Sequence, residues 1–179
     1  MFDNLATSDN QWAAKEFAHV ELKDGRLNWR CQVLASALAQ QPDLPINQVC
    51  EDWADTKAAC RFFANKKVTP ERILAPHRQR TVSRMSQHPL VLAVQGTTFF
   101  NYTHHPHTEE LGEIGNKKQK QQGFGMHSTL AITPTGMPLG LLTQTFFTRP
   151  IAEPSHQPND LHKLPIEDKE SYRWIQAFK

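Results

Sequence analysis

The sequence predicts an α+β protein, an all-helical first part followed by a small β sheet, and three observations carry that expectation. Up to about residue 88, apolar residues recur three and four apart, with capping and helix-opening residues at the right offsets. At Leu90 the pattern changes to short apolar and alternating runs, as strands require. Between two of those runs lies Thr133-Pro134-Thr135-Gly136, a hairpin signature. The expected division is a helical domain over 1–88 and a sheet domain over 89–179.

Composition narrows the function classes. A length of 179 residues with 39% hydrophobic content allows one ordinary domain, or a small one with part of another. The formal net charge is only +2, so a nucleic-acid partner has to be argued from a local basic patch. The patch belongs in the first half, where residues 1–90 hold 12 Lys/Arg against 10 Asp/Glu; the remainder holds 8 of each. Cys31, Cys50 and Cys60 are odd in number and form no CxxC, which reads as small core residues in a reducing compartment. No apolar run reaches the length of a membrane span and no signal-peptide pattern follows Met1, so the expected location is cytoplasmic, with no membrane partner.

The helices follow in order. Ser8-Asp9-Asn10-Gln11 is a capping box, and Trp12 and Phe17 of the helix it opens are expected in the core. Leu27, Cys31, Leu34 and Leu38 share a face of the second helix. Arg26 and Arg30 lie four apart on another face near its start, where guanidinium groups can grip phosphates or read guanine edges. Pro42 and Pro45 close that helix, and Ile46–Cys50 makes a short turn. Asp55 reads as the cap of a further helix with Ala59, Phe62 and Phe63 inward and Lys57 and Arg61 as a second basic pair. Thr69-Pro70-Glu71 opens the last helix of this part, with Ile73, Leu74, Val82 and Met85 inward and Pro76 as a kink or restart.

The β part begins at Leu90-Val91-Leu92-Ala93-Val94, a run that reads as a strand buried on both faces. Central strands of this kind often end at a site. His104, His105 and His107 read as an exposed loop and not as a metal site, since no cysteine or carboxylate stands at zinc spacing. The basic run Asn116–Gly123 reads as a hairpin tip. Gly125–Ile132 and Pro138–Phe147 make two strands, 149–165 a loop, and Glu167–Phe178 a helix with Trp174, Ile175 and Phe178 on one side.

Taken together, several words of the chain resemble bacterial cut-and-paste transposases of the insertion-sequence-four group, the Tn-five-like enzymes. They are Trp12-Ala13 with Glu16-Phe17, Leu22-Lys23-Asp24-Gly25-Arg26-Leu27 with Arg30, and Lys57-Ala58-Ala59 with Arg61-Phe62-Phe63 and Asn65. Leu92-Ala93-Val94-Gln95 before Thr97-Thr98 follows, then Leu111-Gly112 with Ile114-Gly115, His127-Ser128, and Gly140-Leu141-Leu142 leading to Arg149-Pro150. The resemblance runs from about Trp12 to Lys179.

What the resemblance implies is a helical domain that recognises transposon-end double-stranded DNA, followed by an RNase H-like domain. Of the latter, the first three strands and the start of a helix are present. The family's DNA-contact arginines fall on Arg26 and Arg30, and its basic residue before Phe-Phe on Arg61; Lys57 completes the candidate DNA-binding set. Family members hold two Mg²⁺ ions on three carboxylates for in-line attack on phosphate. The first of these positions is Gly96 here, and the chain ends before the other two, so the expectation is a truncated transposase with no catalytic residues, no metal ligands, no cofactor and no enzymatic activity. The alternative is an interaction protein that inhibits a full-length transposase by competing for DNA ends or by mixed assembly.

Overall fold

A computed structural model of the protein describes residues 11–105, 107–115, 120–149 and 163–177. The chain forms two compact units, Met1–Arg84 and Met85–Lys179. The first contains α1 (Gln11–Glu16), α2 (Gly25–Gln40), α3 (Ile46–Val49), α4 (Trp53–Phe63) and α5 (Pro70–Met85, its last residue in the second unit). The second contains β1 (Leu92–Asn101), β2 (Gly112–Glu113), β3 (Gln122–Ile132), β4 (Pro138–Phe147), a 3-10 turn (Ile166–Asp168) and α6 (Tyr172–Gln176).

Local chemistry sets the helix starts. Asp24 has extended backbone angles, and its Oδ1 accepts the Arg26 N–H at 2.9 Å, which caps α2. That backbone hydrogen bond holds the Asp24 carboxyl below its ordinary range. Asp52, and not Asp55, caps α4: its Oδ1 accepts the Asp55 N–H at 2.8 Å, so Asp55 lies inside the first turn. The sequence offers two aspartates three apart, and the first wins because its side chain reaches a free N–H of that turn. Pro70 opens α5 as expected, and the helix continues through Pro76 without a restart.

The helices bury Val20, Leu22, Cys31, Leu34, Ala59 and Phe62, ringed by half-buried Phe17, Leu27, Ile46, Cys50, Val68 and Ile73. Burying side chains of this size contributes about 1.5–3 kcal/mol each by area. Cys31 fits this core, where burial pushes its thiol up to about 11, but Cys60 is exposed on α4. Several expected inward residues are also outside. Trp12 is 44% exposed while its neighbour Ala13 is buried, and Phe63 and Val82 are exposed while Thr56, Pro76 and Thr81 are buried. Close helix approach favours the small residue, and the threonines satisfy their hydroxyls on the preceding turn: Thr56 Oγ1 donates to the Asp52 carbonyl and Thr81 Oγ1 to the His77 carbonyl. The Ser8–Asn10 part of the capping box lies outside the described residues.

In the second unit β3 is the central strand. It pairs antiparallel with β1 along Leu92–Ile132 to Asn101–Gly123, with β4 on its other side, and with β2 at its start. The hairpin between β3 and β4 is as expected, with Gly136 at φ 87° in the left-handed region. The buried central strand expected at Leu90 is instead an edge strand. Leu92 is 43% and Val94 47% exposed, whereas alternate residues of β3 from Gly123 to Ala131 are buried. An apolar run gives a strand the capacity for burial, but burial needs neighbours, and among the described residues β1 has a strand on one side only.

One sheet face carries Gln95, Thr97, Phe99, His127 and Phe147, and residues of 163–177 lie against it. Gln95 Nε2 donates to the Trp174 carbonyl at 3.3 Å, and the His127 and Trp174 ring centroids are 4.9 Å apart. The Arg173 guanidinium carbon sits 3.4 Å from the Phe147 ring centroid. The predicted helix over 167–178 is shorter, a 3-10 turn followed by five residues of α6, with Trp174 and Ile175 more than two-fifths exposed. Phe178 and most of 149–165 lie outside the described residues. The opposite face stacks Phe100 on Phe124 at 4.9 Å and carries Gly96 beside Ser128.

Candidate nucleic-acid interface

The basic residues singled out by sequence sit on α2 and α4 of the helical unit. Arg26 is the second residue of α2, and its side chain is 94% exposed, with Nε 3.5 Å from the Asp24 carboxylate. Arg30, one turn later, is held differently. Its side chain is 20% exposed, its Nη1 lies 3.4 Å from Asp55 Oδ1 on α4, and its guanidinium carbon is 5.2 Å from the Trp29 ring centroid. Lys57 and Arg61 follow one turn apart on the exposed side of α4, with Lys57 Nζ 5.8 Å from the Trp53 ring centroid.

Arg26, Arg30 and Arg61 meet in one groove of about 340 Å³ between α2 and α4, while Lys57 stands outside its lining. The groove lining is mostly apolar, with Leu27, Trp29, Ala58 and Phe62 contributing to it, and Asn65 is a further lining residue. Its lining residues include three arginines and no acidic residue. In low-dielectric surroundings such an arrangement attracts anions, and a guanidinium fork matches phosphate geometry.

Residues 9–68 match the transposase DNA-binding family. All four basic candidates fall inside the matched region, and so does the whole groove. The helical unit is therefore similar, over residues 9–68, to a transposase DNA-binding domain. Trp29 and Asn65 were not among the candidate DNA contacts, although Trp29 stands three residues after Arg26 and so shares its side of α2.

Outside the matched region lies the position that the resemblance assigns to a first catalytic aspartate. Gly96 is exposed near the middle of β1, and a Cβ added there would meet nothing within 4 Å. Its register partner is Ser128, whose Oγ is buried with no hydrogen-bond partner. Among the described residues no three His, Cys, Asp or Glu gather as a metal site. Glu109 and Glu110 stand in an exposed loop, Glu113 on β2, and Glu167 and Asp168 on the exposed 3-10 turn. His104, His105 and His107 occupy an exposed loop, as expected, with His105 tilted on Tyr102. The first half of the 116–123 basic run, Asn116 to Gln119, lies outside the described residues, and so does Asp160.

Among the described residues, His127 is the one strongly buried titratable side chain of the sheet face that α6 covers. Nδ1 is 2.8 Å from Thr97 Oγ1 and Nε2 is 3.0 Å from Gln95 Oε1. Because Gln95 Oε1 only accepts, Nε2 carries a proton, and in the neutral ring Nδ1 then accepts from the threonine hydroxyl. Burial, with the Arg173 charge added to it, lowers the His127 pKa. No helix among the described residues is long and apolar enough to cross a membrane.

Proposed function

We propose that the helical unit grips the end of a Tn-five-like insertion element as duplex DNA. Arg26 and Arg61 contact phosphates directly, Lys57 adds charge from the same side of α4, and Arg30 braces the two helices so that the groove keeps its shape. The observation that carries this reading is the convergence of three arginines on one acid-free groove inside the region matching the transposase DNA-binding family. Phosphate contacts give affinity without sequence information, so base reading falls to residues between them.

The second unit is proposed as the beginning of an RNase H-like sheet that does not cut DNA. Antiparallel pairing of β1, β3 and β4 supports the comparison, and glycine at the position of the family's first aspartate supports the lack of activity. A second reading, inhibition of a full-length transposase by competition for its ends or by mixed assembly, is favoured by β1. Its ten residues include no charge, and its outer edge is unpaired among the described residues, the kind of edge another strand can join. The test is a gel shift of an insertion-end duplex over a range of salt, followed by co-purification with an intact transposase. A salt-independent shift, or none, would end the DNA reading; absence of a co-purifying complex and of competition would end the second.

A further inference from the structure

Resting on the DNA reading above, we infer that the groove between α2 and α4 accepts an unpaired base, with Trp29 as the stacking surface. The two kinds of surface in the groove call for two kinds of group in its ligand. Its lining is mostly apolar and includes Trp29, a residue 37% exposed, whose ring suits a flat π face. Arg26 and Arg61, both exposed, are also among its lining residues, and their guanidinium groups suit a phosphate. A nucleotide lifted out of its stack has both groups joined by one sugar. A paired duplex presents phosphates to these arginines but keeps its base faces covered.

Two details favour a base over an apolar peptide side chain. Arg30 lies over the Trp29 ring and pairs with Asp55, so a planar cation is already fixed against the aromatic ring among the groove's lining residues. Bases stack on aromatic rings and on arginine planes regardless of their identity. Asn65 Oδ1 accepts the Lys67 N–H at 2.9 Å, which leaves its Nδ2 hydrogens for an incoming acceptor. Base edges carry carbonyl and ring-nitrogen acceptors, whereas an aliphatic side chain has none. Charge complementarity points the same way, since the lining has cations and no acid.

The experiment compares the full chain on a short paired duplex and on the same duplex carrying one unpaired 2-aminopurine. The unpaired site should bind at least about fivefold more tightly, the lower end of what base–aromatic stacking supplies. Its fluorescence should fall on binding as the probe stacks. Trp29→Ala should abolish both effects while leaving the salt slope of paired-duplex binding unchanged; Trp29→Phe should retain part of each and guards against a folding defect. Equal affinity for the two duplexes, or a preference that survives Trp29→Ala, would overturn the inference and leave the DNA reading standing. Failure of both duplexes to show salt-dependent binding would overturn the two together.

Discussion

Arg30 of α2 and Asp55 of α4 form an ion pair across the helical unit, Nη1 to Oδ1 3.4 Å, with both side chains at least four-fifths buried. The pair joins two helices that otherwise meet through Leu34, Ala59 and Phe62 in the core. It also changes what Arg30 can do. A guanidinium engaged with a carboxylate is largely neutralised, so it contributes less to phosphate binding than exposed Arg26. Arg30→Ala should therefore act mainly on stability. A cost of about 1–2 kcal/mol is expected, above an exposed pair and below a fully buried one, because Asp55 is left without its cation. Urea denaturation measures the cost. A salt slope of DNA binding that changed by a full unit would instead make Arg30 a phosphate contact.

Arg26 and Arg61 are expected to behave oppositely. Each neutralised phosphate contributes roughly −0.9 to the slope of log K against log salt, so the double alanine variant should lose about two units of slope. Lys57→Ala should remove about one more if it too touches a phosphate. Arg26 is almost wholly exposed and Arg61 is exposed, so neither change should cost measurable stability. An unchanged slope with all three replaced would remove the groove from the interface.

The split between Arg26 and Arg30 shows what the sequence could and could not reveal. Spacing of four placed both arginines near one side of α2, and that was correct as geometry. Their difference comes from Asp55, twenty-five positions away, which no local pattern connects to Arg30. The start of α5 is legible at Thr69-Pro70, whereas the Asp24 cap of α2 is not singled out by the sequence and the start of α4 is misplaced where Asp52 and Asp55 compete. The β pairing was legible from alternation and the Thr133–Gly136 turn. The exposure of β1 was not, because the apolar run at Leu92 says nothing about which neighbours cover it. Trp29 carries no distinguishing sequence signal, since an aromatic on a helix is ordinarily core, and only the groove shows it beside three arginines.

Acid should loosen the attachment of α1 to α5. Glu16 accepts two hydrogen bonds from Arg84, at 2.9 and 2.8 Å, and His77 Nδ1 is 2.6 Å from Glu16 Oε1. Burial pushes the Glu16 carboxyl up, but Arg84 and His77 outweigh it and hold the group below its ordinary value. A depressed carboxylate gives stability that is complete above the unfolded pKa and is lost as pH falls through the folded one. Glu16→Gln should cost about 1.5–3 kcal/mol at neutral pH, the range for hydrogen bonds to charged groups. That difference from the parent should shrink as pH falls below the ordinary carboxyl value of 4.5 in urea titrations. A difference that stayed constant with pH would show that the ionised carboxylate is not what holds α1.

The sheet unit should respond to a milder acid. Since the His127 pKa is lowered in the folded state, stability is complete above the unfolded value near 6.5 and falls as pH drops towards the folded one. A second proton would sit on Nδ1 and turn Thr97 from donor to acceptor, beside the Arg173 charge. His127→Gln keeps one donor and one acceptor and should flatten stability against pH between about 7 and 5. NMR titration of the ring protons gives the direct measurement. A folded pKa at or above the unfolded value would contradict the neutral ring.

The last prediction concerns Gly96→Asp. Its position is exposed on the sheet face away from α6, and a Cβ there meets nothing, so aspartate enters without a clash or a burial cost. Glycine within a strand costs roughly 0.5–1 kcal/mol against alanine, and Gly96→Ala should recover that much. Aspartate can do more. Directly paired antiparallel positions place Cβ atoms about 4.5–5.5 Å apart on one face, so the new carboxylate is within reach of the unpartnered Ser128 hydroxyl. A hydrogen bond there should add about 1 kcal/mol over alanine. Combining Gly96→Asp with Ser128→Ala isolates that coupling, and additive effects would rule the bond out. Cleavage should not return. One carboxylate holds a hydrated Mg²⁺ only loosely, and two-metal chemistry needs several ligands converging on metals about 3.5–4 Å apart. The loop acids of the sheet unit do not gather with Gly96, since no three metal-binding side chains cluster among the described residues. Strand nicking of an insertion-end duplex with Mg²⁺ or Mn²⁺ is the assay, and cleavage above background by the aspartate variant would mean that a single residue separates this sheet from an active one.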